Sequence, residues 1–363
     1  MALPDVVIIG AGVVGAACAF YSARAGLTVT VLDRGAVGGG TTAVAQGAVL
    51  ACDKPPGPLL DLAVDSRRRW AELDAELGGG RLGLSHRGCL AVAATDAERT
   101  TLTALAARQR AAGLAAEDLP GDELRHREPL LAAGLAGGVY HPDDLQVDPV
   151  RATAHLLRAS GARVRCGVDV RGVELDSGMR VTGVRVDNGD RLACGAVVNA
   201  AGVWAGQLSA QAGTPLPVSP GRAFILVTEA GPDIRHAVRA GAATITGGRA
   251  GTVQVGGARD RVGFDRSWPL PRLRDLADLA VALLPALADL CAVRAYRGFR
   301  PDTPDGLPII GPDPWVTGLF HACGHEGSGV GLAPATGALT AGMVTGGPAD
   351  GPDPFAFHPE RFG

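Results

Sequence analysis

The stretch Val6-Val7-Ile8-Ile9-Gly10-Ala11-Gly12-Val13-Val14-Gly15 decides how this chain is read. Four consecutive apolar residues without alternation describe a strand covered on both faces, as in a parallel sheet. Glycines follow at once with the spacing Gly10-x-Gly12-x-x-Gly15. Ala16 to Ala25 then reads as a helix of small residues, and Gly26 suits its C-terminal cap. Thr28-Val29-Thr30-Val31-Leu32 is the next strand, and Asp33 stands at its end. Strand, glycine turn, helix and second strand within about 30 residues make a βαβ unit.

Each glycine has a physical purpose. Gly10 permits the tight strand-to-helix turn, Gly12 lets a pyrophosphate approach the backbone, and Gly15 lets the helix pack close to the strand. The helix entrance at Val13 and Val14 offers unpaired N–H groups and a partial positive charge to phosphates. Asp33, followed by Arg34, can accept hydrogen bonds from both hydroxyls of a ribose. An acid there disfavours a 2′-phosphate, so NADP is not expected. The reading is a dinucleotide site, against the simpler alternative of a glycine turn used only for packing.

The rest of the chain bounds the possibilities. Its 363 residues imply about two domains. Hydrophobic residues at 47% and charged residues at 20% fit a globular protein and exclude a disordered one. The 53 glycines follow no G-X-Y period, which excludes collagen. With 34 basic and 37 acidic side chains the net charge is −3, so neither nucleic acid nor anionic lipid is an expected partner. Lys54 is the single lysine, and arginine carries nearly all positive charge. Seven scattered cysteines include no CxxC pair, so a disulfide framework and a metal site are not expected and a reducing, cytoplasmic setting is. Val6 to Ala23 is uncharged but lacks a basic leader, and Gly327 to Ala349 is broken by Pro334 and seven glycines, so neither is read as a membrane span.

Further elements follow from periodicity. Leu59–Leu77, Ala97–Ala112, Pro149–Ser160, Leu273–Leu284 and Ser328–Thr345 read as helices, with Arg67, Arg68 and Arg69 solvated on the first of these. Arg163–Val173, Gly183–Val186 and Ala196–Asn199 read as strands, and 222–228 and 252–257 as strands of a separate antiparallel sheet.

Three distant small-residue segments share a character suited to a flavin nucleotide: Gly38-Gly39-Gly40-Thr41-Thr42-Ala43-Val44-Ala45-Gln46-Gly47, Val197-Val198-Asn199-Ala200-Ala201-Gly202-Val203-Trp204, and Gly324-His325-Glu326-Gly327-Ser328-Gly329. With Gly298-Phe299-Arg300-Pro301 and Leu332-Ala333-Pro334, the chain resembles, over nearly its whole length, the D-amino-acid oxidase family of FAD-dependent oxidoreductases. Within it the glycine oxidase, sarcosine oxidase, and D-amino-acid and hydroxyproline dehydrogenase subgroup is most similar.

The resemblance implies an α/β fold. A discontinuous Rossmann-type FAD domain (1–85, 146–215 and 297–363) would join a substrate domain on a mixed or antiparallel sheet (86–145 and 216–296). Gly40, Thr41, Thr42, Ala45, Gln46 and Gly47 would lie along the flavin and ribityl chain. Val170 would contact the adenine through its backbone. Ala200, Ala201, Gly202 and Trp204 would pass beside the adenosine diphosphate, and Gly324, His325, Glu326, Gly327, Ser328 and Gly329 would reach the pyrimidine edge of the isoalloxazine. A helix N-terminus suits that edge because a reduced flavin is anionic there.

Arg300 matches the arginine that binds the substrate carboxylate in the enzymes it resembles, and a planar guanidinium fork pairs bidentately with a carboxylate. The alternative is a structural ion pair with Asp302 or Asp305. His325 is either a base or a histidine that holds its loop. Where relatives place a substrate-binding tyrosine on the sheet, residues 222–257 contain none, leaving Tyr296 or Arg297 to compensate. Some relatives tether FAD to a cysteine at the position of Gly298, so non-covalent FAD is expected. Implied activity is hydride transfer from the α-carbon of an amino or imino acid, a D-amino acid or a cyclic imino acid such as a proline derivative, to give an imine. The alternatives are a 2-hydroxy-acid dehydrogenase or a non-catalytic flavoprotein subunit of a hetero-oligomer. Electrons would return to O2 or to a dye, quinone or partner protein.

Overall fold

A computed structural model describes residues 3–348 and 350–363, with the side chains of Arg249 and Ala258 left aside. Its centre is a six-stranded sheet. In spatial order the strands are Ile309–Pro312, Leu319–Cys323, Ala196–Asn199, Val6–Ile9, Val29–Asp33 and Arg163–Cys166. All neighbours run parallel except the first pair. Val6 and Ile8 face a core shared with the helices Val13–Arg24, Pro149–Ser160 and Gly329–Thr345. Val7 and Ile9 face a second core under a three-stranded antiparallel sheet, Val170–Leu175, Val181–Val186 and Arg191–Ala193. Successive residues of a strand point to opposite faces. Both faces are covered here, which is why the opening strand is apolar throughout.

The glycine turn is built as its spacing requires. Gly10 has φ +113°, and a Cβ there would lie 2.3 Å from the Ala200 carbonyl oxygen. A Cβ on Gly15 would lie 1.9 Å from the Gly10 carbonyl oxygen. The first helix starts at Val13 and ends at Arg24, with Gly26 at φ +89° just beyond.

The C-terminal helix Gly329–Thr345 carries Pro334 inside it. A proline there cannot donate to the carbonyl four residues back, at Val330. Trp70 Nε1 supplies that bond instead, at 3.0 Å, from the buried face of the helix Pro58–Glu76. The expected solvation of Arg67, Arg68 and Arg69 holds only for Arg68. Arg69 lies on the buried stripe with Leu62, Ser66, Trp70 and Leu73, where its Nε donates to Asp65 and its Nη2 to the Asp350 carbonyl. Two acceptors compensate the burial of its charge.

A second, eight-stranded mixed sheet runs Ala292–Asp302, Ser219–Ala230, Thr252–Asp260, Ala243–Gly247, Ala237–Ala240, Cys89–Ala93, Gly137–His141 and Glu117–Pro120. One neighbouring pair in it, Ala237–Ala240 with Cys89–Ala93, is parallel. The strand expected over 163–173 is two strands in different sheets. The chain turns at Gly167, φ +71°, between Arg163–Cys166 and Val170–Leu175.

Candidate active site

Between the two sheets lies a cavity of about 790 Å³, at the upper end of the range for cofactor and small-molecule sites. The first helix opens onto it. Gly12 caps that helix without a side-chain hydrogen bond, and no acid occupies the first turn. Thr42 Oγ1 accepts from the Val13 N–H at 3.1 Å. Asp33 accepts from the N–H groups of Ala11 and Gly35, each at 2.7 Å, and still faces the cavity. Each carboxylate oxygen has two lone pairs, so acceptor capacity remains. Trp204 lines the same end, with the Arg34 guanidinium 3.8 Å above its ring and Phe264 stacked at 6.0 Å.

The loop 40–47 joins the two sheets. Thr41 Oγ1 donates to the Phe299 carbonyl at 2.6 Å, and Gln46 Nε2 donates to the carbonyls of Thr244 and Gln254 at 2.9 and 3.0 Å. At Gly298 a Cβ would lie 2.3 Å from Val44 Cγ2, so the sheet docks directly on this loop.

Tyr296, Gly298 and Arg300 alternate along the strand Ala292–Asp302 and all line the cavity. Arg297, on the opposite face, lies over Trp268 and bonds the Arg266 carbonyl, so it cannot compensate for a missing tyrosine. The Tyr296 hydroxyl accepts from Arg294 Nη1 at 3.0 Å. Arg300 pairs with neither Asp302 nor Asp305. Its Nη1 donates to Glu326 Oε1 at 3.1 Å, and Arg259 Nη1 reaches the same oxygen at 2.9 Å. Asp305 instead holds Arg361, and Asp302 lies 3.5 Å from Arg259.

Burial would raise the Glu326 carboxyl. The Arg300 guanidinium, the Gly327 N–H and Arg259 outweigh that and hold it below the usual carboxylate range. Burial raises Asp302, whose two carboxylate oxygens have no hydrogen-bond partner. His325 is buried, and its Nε2 shares a hydrogen bond with Thr336 Oγ1 at 2.9 Å. Burial pulls its pKa down to about 3, so the ring is neutral near pH 7.

Of the residues singled out from sequence, the cavity wall includes Gly10, Gly12, Val13, Val14, Asp33, Arg34, the loop from Gly40 to Gly47, Val170, Ala200, Ala201, Gly202, Trp204, Tyr296, Arg300 and His325 to Gly329. Gly15 and Gly324 lie outside it. Gly15 faces the Gly10 carbonyl, and Gly324, φ +73°, faces Thr303 and Ile309 behind the wall. Arg259, Arg239, Asp53 and Lys54 also line the cavity and were not read from the sequence. Asp53 bridges Lys54 Nζ at 2.7 Å and Arg239 Nη2 at 3.2 Å. Arg259 had a signal: it follows the apparent strand 252–257 two residues on. Glu326 was expected at the flavin edge with no role for its carboxylate.

Residues 5–343 match the family described as FAD dependent oxidoreductase, DAO. The chain belongs to that family. The glycine oxidase of Geobacillus kaustophilus is 33% identical over 94% of this chain and 92% of its own, and the crystal structure of a glycine oxidase from that species superposes with a TM-score of 0.91 over 99% and 98% of the two chains, at 31% identity. The hydrogen cyanide synthase subunit HcnC of Pseudomonas aeruginosa is 32% identical over 94% of this chain and 92% of its own. The L-proline dehydrogenase of P. horikoshii superposes with a TM-score of 0.92 at 26% identity, covering 99% of this chain and 98% of its own.

This FAD-dependent oxidoreductase has residues that fit its cofactor. Gly12 puts no side chain at the helix entrance, although Thr42 Oγ1 takes the Val13 N–H, the Gly10 turn brings backbone against backbone, and Asp33 keeps acceptor capacity toward the cavity. Among the described residues no helix is long and apolar enough to cross a membrane.

Proposed function

We propose that this oxidoreductase oxidises a small amino or imino acid at its α-carbon, with Arg300 binding the substrate carboxylate. The observation that carries this reading is the placement of Arg300. It lies on the wall of the cavity that the first helix opens onto, bonded to Glu326 in the segment His325 to Gly329. A pure electron carrier has no use for a guanidinium there.

FAD, when bound, supplies the two-electron acceptor. The residues that would hold it are the helix entrance at Gly12 to Val14, Asp33, the loop 40–47, Val170, Ala200 to Gly202 with Trp204, and the segment 325–329. Arg300 orients the substrate, Tyr296 closes the wall beside it, and the apolar walls at Val44, Leu50 and Ile225 exclude water. His325, neutral and bonded to Thr336, positions its loop. Amine oxidation needs no protein base at the α-carbon, whereas a 2-hydroxy acid would need one for its hydroxyl. That difference favours the amine reading.

Non-covalent FAD is supported by Gly298, where Val44 fills the space of any tethering side chain. It is also supported by Cys323, whose thiol burial pushes up to about 12. The substrate class we favour is a D-amino or cyclic imino acid, and the likeness to an L-proline dehydrogenase supports the cyclic imino acid and the dehydrogenase reading. The division into an FAD lobe and a substrate lobe belongs to the same proposal. Its last junction moves from 297 to beyond Asp302, because the strand Ala292–Asp302 lies wholly in the second sheet. A cytoplasmic location rests on cysteine usage alone.

Anaerobic mixing of the FAD-loaded protein with glycine, D- and L-amino acids, proline analogues and 2-hydroxy acids tests the reading. Bleaching of the flavin by amino or imino acids is expected. Bleaching by 2-hydroxy acids alone, or by none of the panel, overturns it.

A further inference from the structure

Outside the catalytic cavity, Cys52 Sγ and Cys89 Sγ lie 3.5 Å apart, both buried. They are 37 positions apart in sequence with an entire helix between them, so the contact is tertiary. Cys89 begins the strand Cys89–Ala93 and is fixed on both sides by pairing with His141 and Ala237. Cys52 lies in the turn after the short strand Ala48–Val49 and is held at both of its peptide groups. Its N–H donates to Asp144 Oδ2 at 3.2 Å, and its carbonyl accepts from the buried Gln109 Nε2 at 3.1 Å. Asp144 Oδ1 also accepts from Ala51 N–H at 2.8 Å. Both backbones are thus pinned by buried neighbours, with the two thiols in contact.

We infer that Cys52 and Cys89 are a site of oxidative modification, closing to a disulfide when the protein meets hydrogen peroxide. The sulfurs need to approach by about 1.5 Å to reach bonding distance. Peroxide has a route. Leu50 and Asp53, on either side of the Ala51–Cys52 turn, line the cavity, and Leu50 packs in one cluster with both cysteines. A bulky thiol reagent meets the exposed Cys166 and Cys291, whereas Cys323, itself on the cavity wall, is the buried thiol the pair must outcompete for peroxide.

The chemistry balances within the cluster. The Cys52 sulfur attacks one peroxide oxygen, the O–O bond breaks, and the thiol proton leaves with the hydroxide as water, giving a sulfenic acid. The Cys89 sulfur then attacks that sulfur. The S–S bond forms, the S–O bond breaks, and the hydroxyl departs with the Cys89 proton as a second water. Two thiols lose two electrons and the peroxide gains them. The hydrogen bond to Cys89 and burial hold the Cys52 thiol protonated, so the step needs a proton acceptor. Asp144, whose carboxyl burial raises, has an oxygen within 4.8 Å of both sulfurs.

A metal ion would accept the same spacing. Both Asp144 oxygens are already bonded to backbone N–H groups, however, and Arg67 Nη1 lies 3.6 Å from one of them. That leaves an ion two sulfurs and a cationic neighbour, a poor site.

The test uses FAD-loaded protein and its Cys166→Ser/Cys291→Ser variant, both exposed to hydrogen peroxide, alkylated in denaturant and digested without reductant. A peptide joining Cys52 to Cys89 is expected in both. The variant should lose two alkylatable thiols, and dithiothreitol should restore them. Sulfinic or sulfonic acid at either cysteine without the cross-link overturns the inference. So does oxidation of Cys18, Cys194 or Cys323 in preference to the pair, or no change at all. Retention of zinc through dialysis with protection of both thiols would make the cluster an ion site and overturn it as well.

Discussion

Arg300 Nη1 donates to Glu326 Oε1 at 3.1 Å, so the guanidinium we assign to the substrate carboxylate already holds one from the protein itself. Arg259 shares that oxygen at 2.9 Å. A substrate therefore competes with, or shares Arg300 with, an internal anion. Glu326→Gln keeps an acceptor oxygen in place and removes the charge. KM for a carboxylate substrate is expected to fall about fivefold, the equivalent of about 1 kcal/mol for a partly exposed ion pair, with kcat little changed. Steady-state kinetics on both proteins checks this, and a rise in KM would show that Glu326 orients Arg300 more than it competes.

Removing the guanidinium has a different signature. Arg300→Ala is expected to lower kcat/KM by roughly 10²-fold, about 3 kcal/mol for a lost charged hydrogen-bond pair. Flavin content, read from the absorption spectrum, should be unchanged. Arg300→Lys should recover part of the loss, because the charge returns without the planar fork. Equal loss of flavin and activity would make the arginine structural.

Gly327 gives Arg300 its place. A Cβ there would lie 2.8 Å from Arg300 Nη1 and 3.2 Å from Cζ. Gly327→Ala must push the guanidinium aside, and a displaced clamp misaims its substrate. The expected result is a KM rise of about tenfold, well beyond any change in FAD affinity measured by titration of the apoprotein.

The nucleotide half of the fold was legible because its signals are local. Val6 to Asp33 contains strand, turn and helix in one continuous reading, although the helix begins at Val13, directly after Gly12 and three residues before the expected Ala16, and ends at Arg24, one residue before the expected Ala25. The second sheet was legible only at Ser219–Ala230, where Ala223 to Val227 is a continuous apolar run, and at Thr252–Asp260, where Val253 and Val255 alternate with polar residues. Cys89–Ala93, Gly137–His141 and Ala237–Ala240 are four or five residues each and gain their order from long-range pairing, which leaves little local trace. The same reason hid Glu326. A carboxylate among glycines reads as a loop residue until the strand bearing Arg300 is folded against it. Arg69 was misread because a charge on an apolar helix face is ordinarily solvated, and its acceptor Asp350 is 281 residues away.

Trp70 is the clearest long-range dependency in the core. Its Nε1 occupies the carbonyl of Val330 that Pro334 leaves without a helical donor. Trp70→Phe keeps an aromatic ring and removes the donor, so a buried carbonyl loses its partner. A loss of about 1–3 kcal/mol is expected, seen as a lower urea midpoint. Pairing it with Pro334→Ala, which restores a helical N–H, should recover much of that loss.

His325 makes stability depend on pH. Burial holds the folded ring neutral down to about pH 3, whereas the unfolded ring takes a proton near 6.5. Below 6.5 the unfolded state therefore binds the extra proton, and stability falls with falling pH until the folded pKa is reached. The slope from one such group is about 1.4 kcal/mol per pH unit. His325→Gln retains an amide donor for Thr336 Oγ1 but has no titrating group. Thermal unfolding from pH 7.5 to 5 should show the native protein losing stability faster than the variant over this window. Parallel curves would mean that the ring is accessible to protons in the folded state, and would return His325 to the list of groups able to move one.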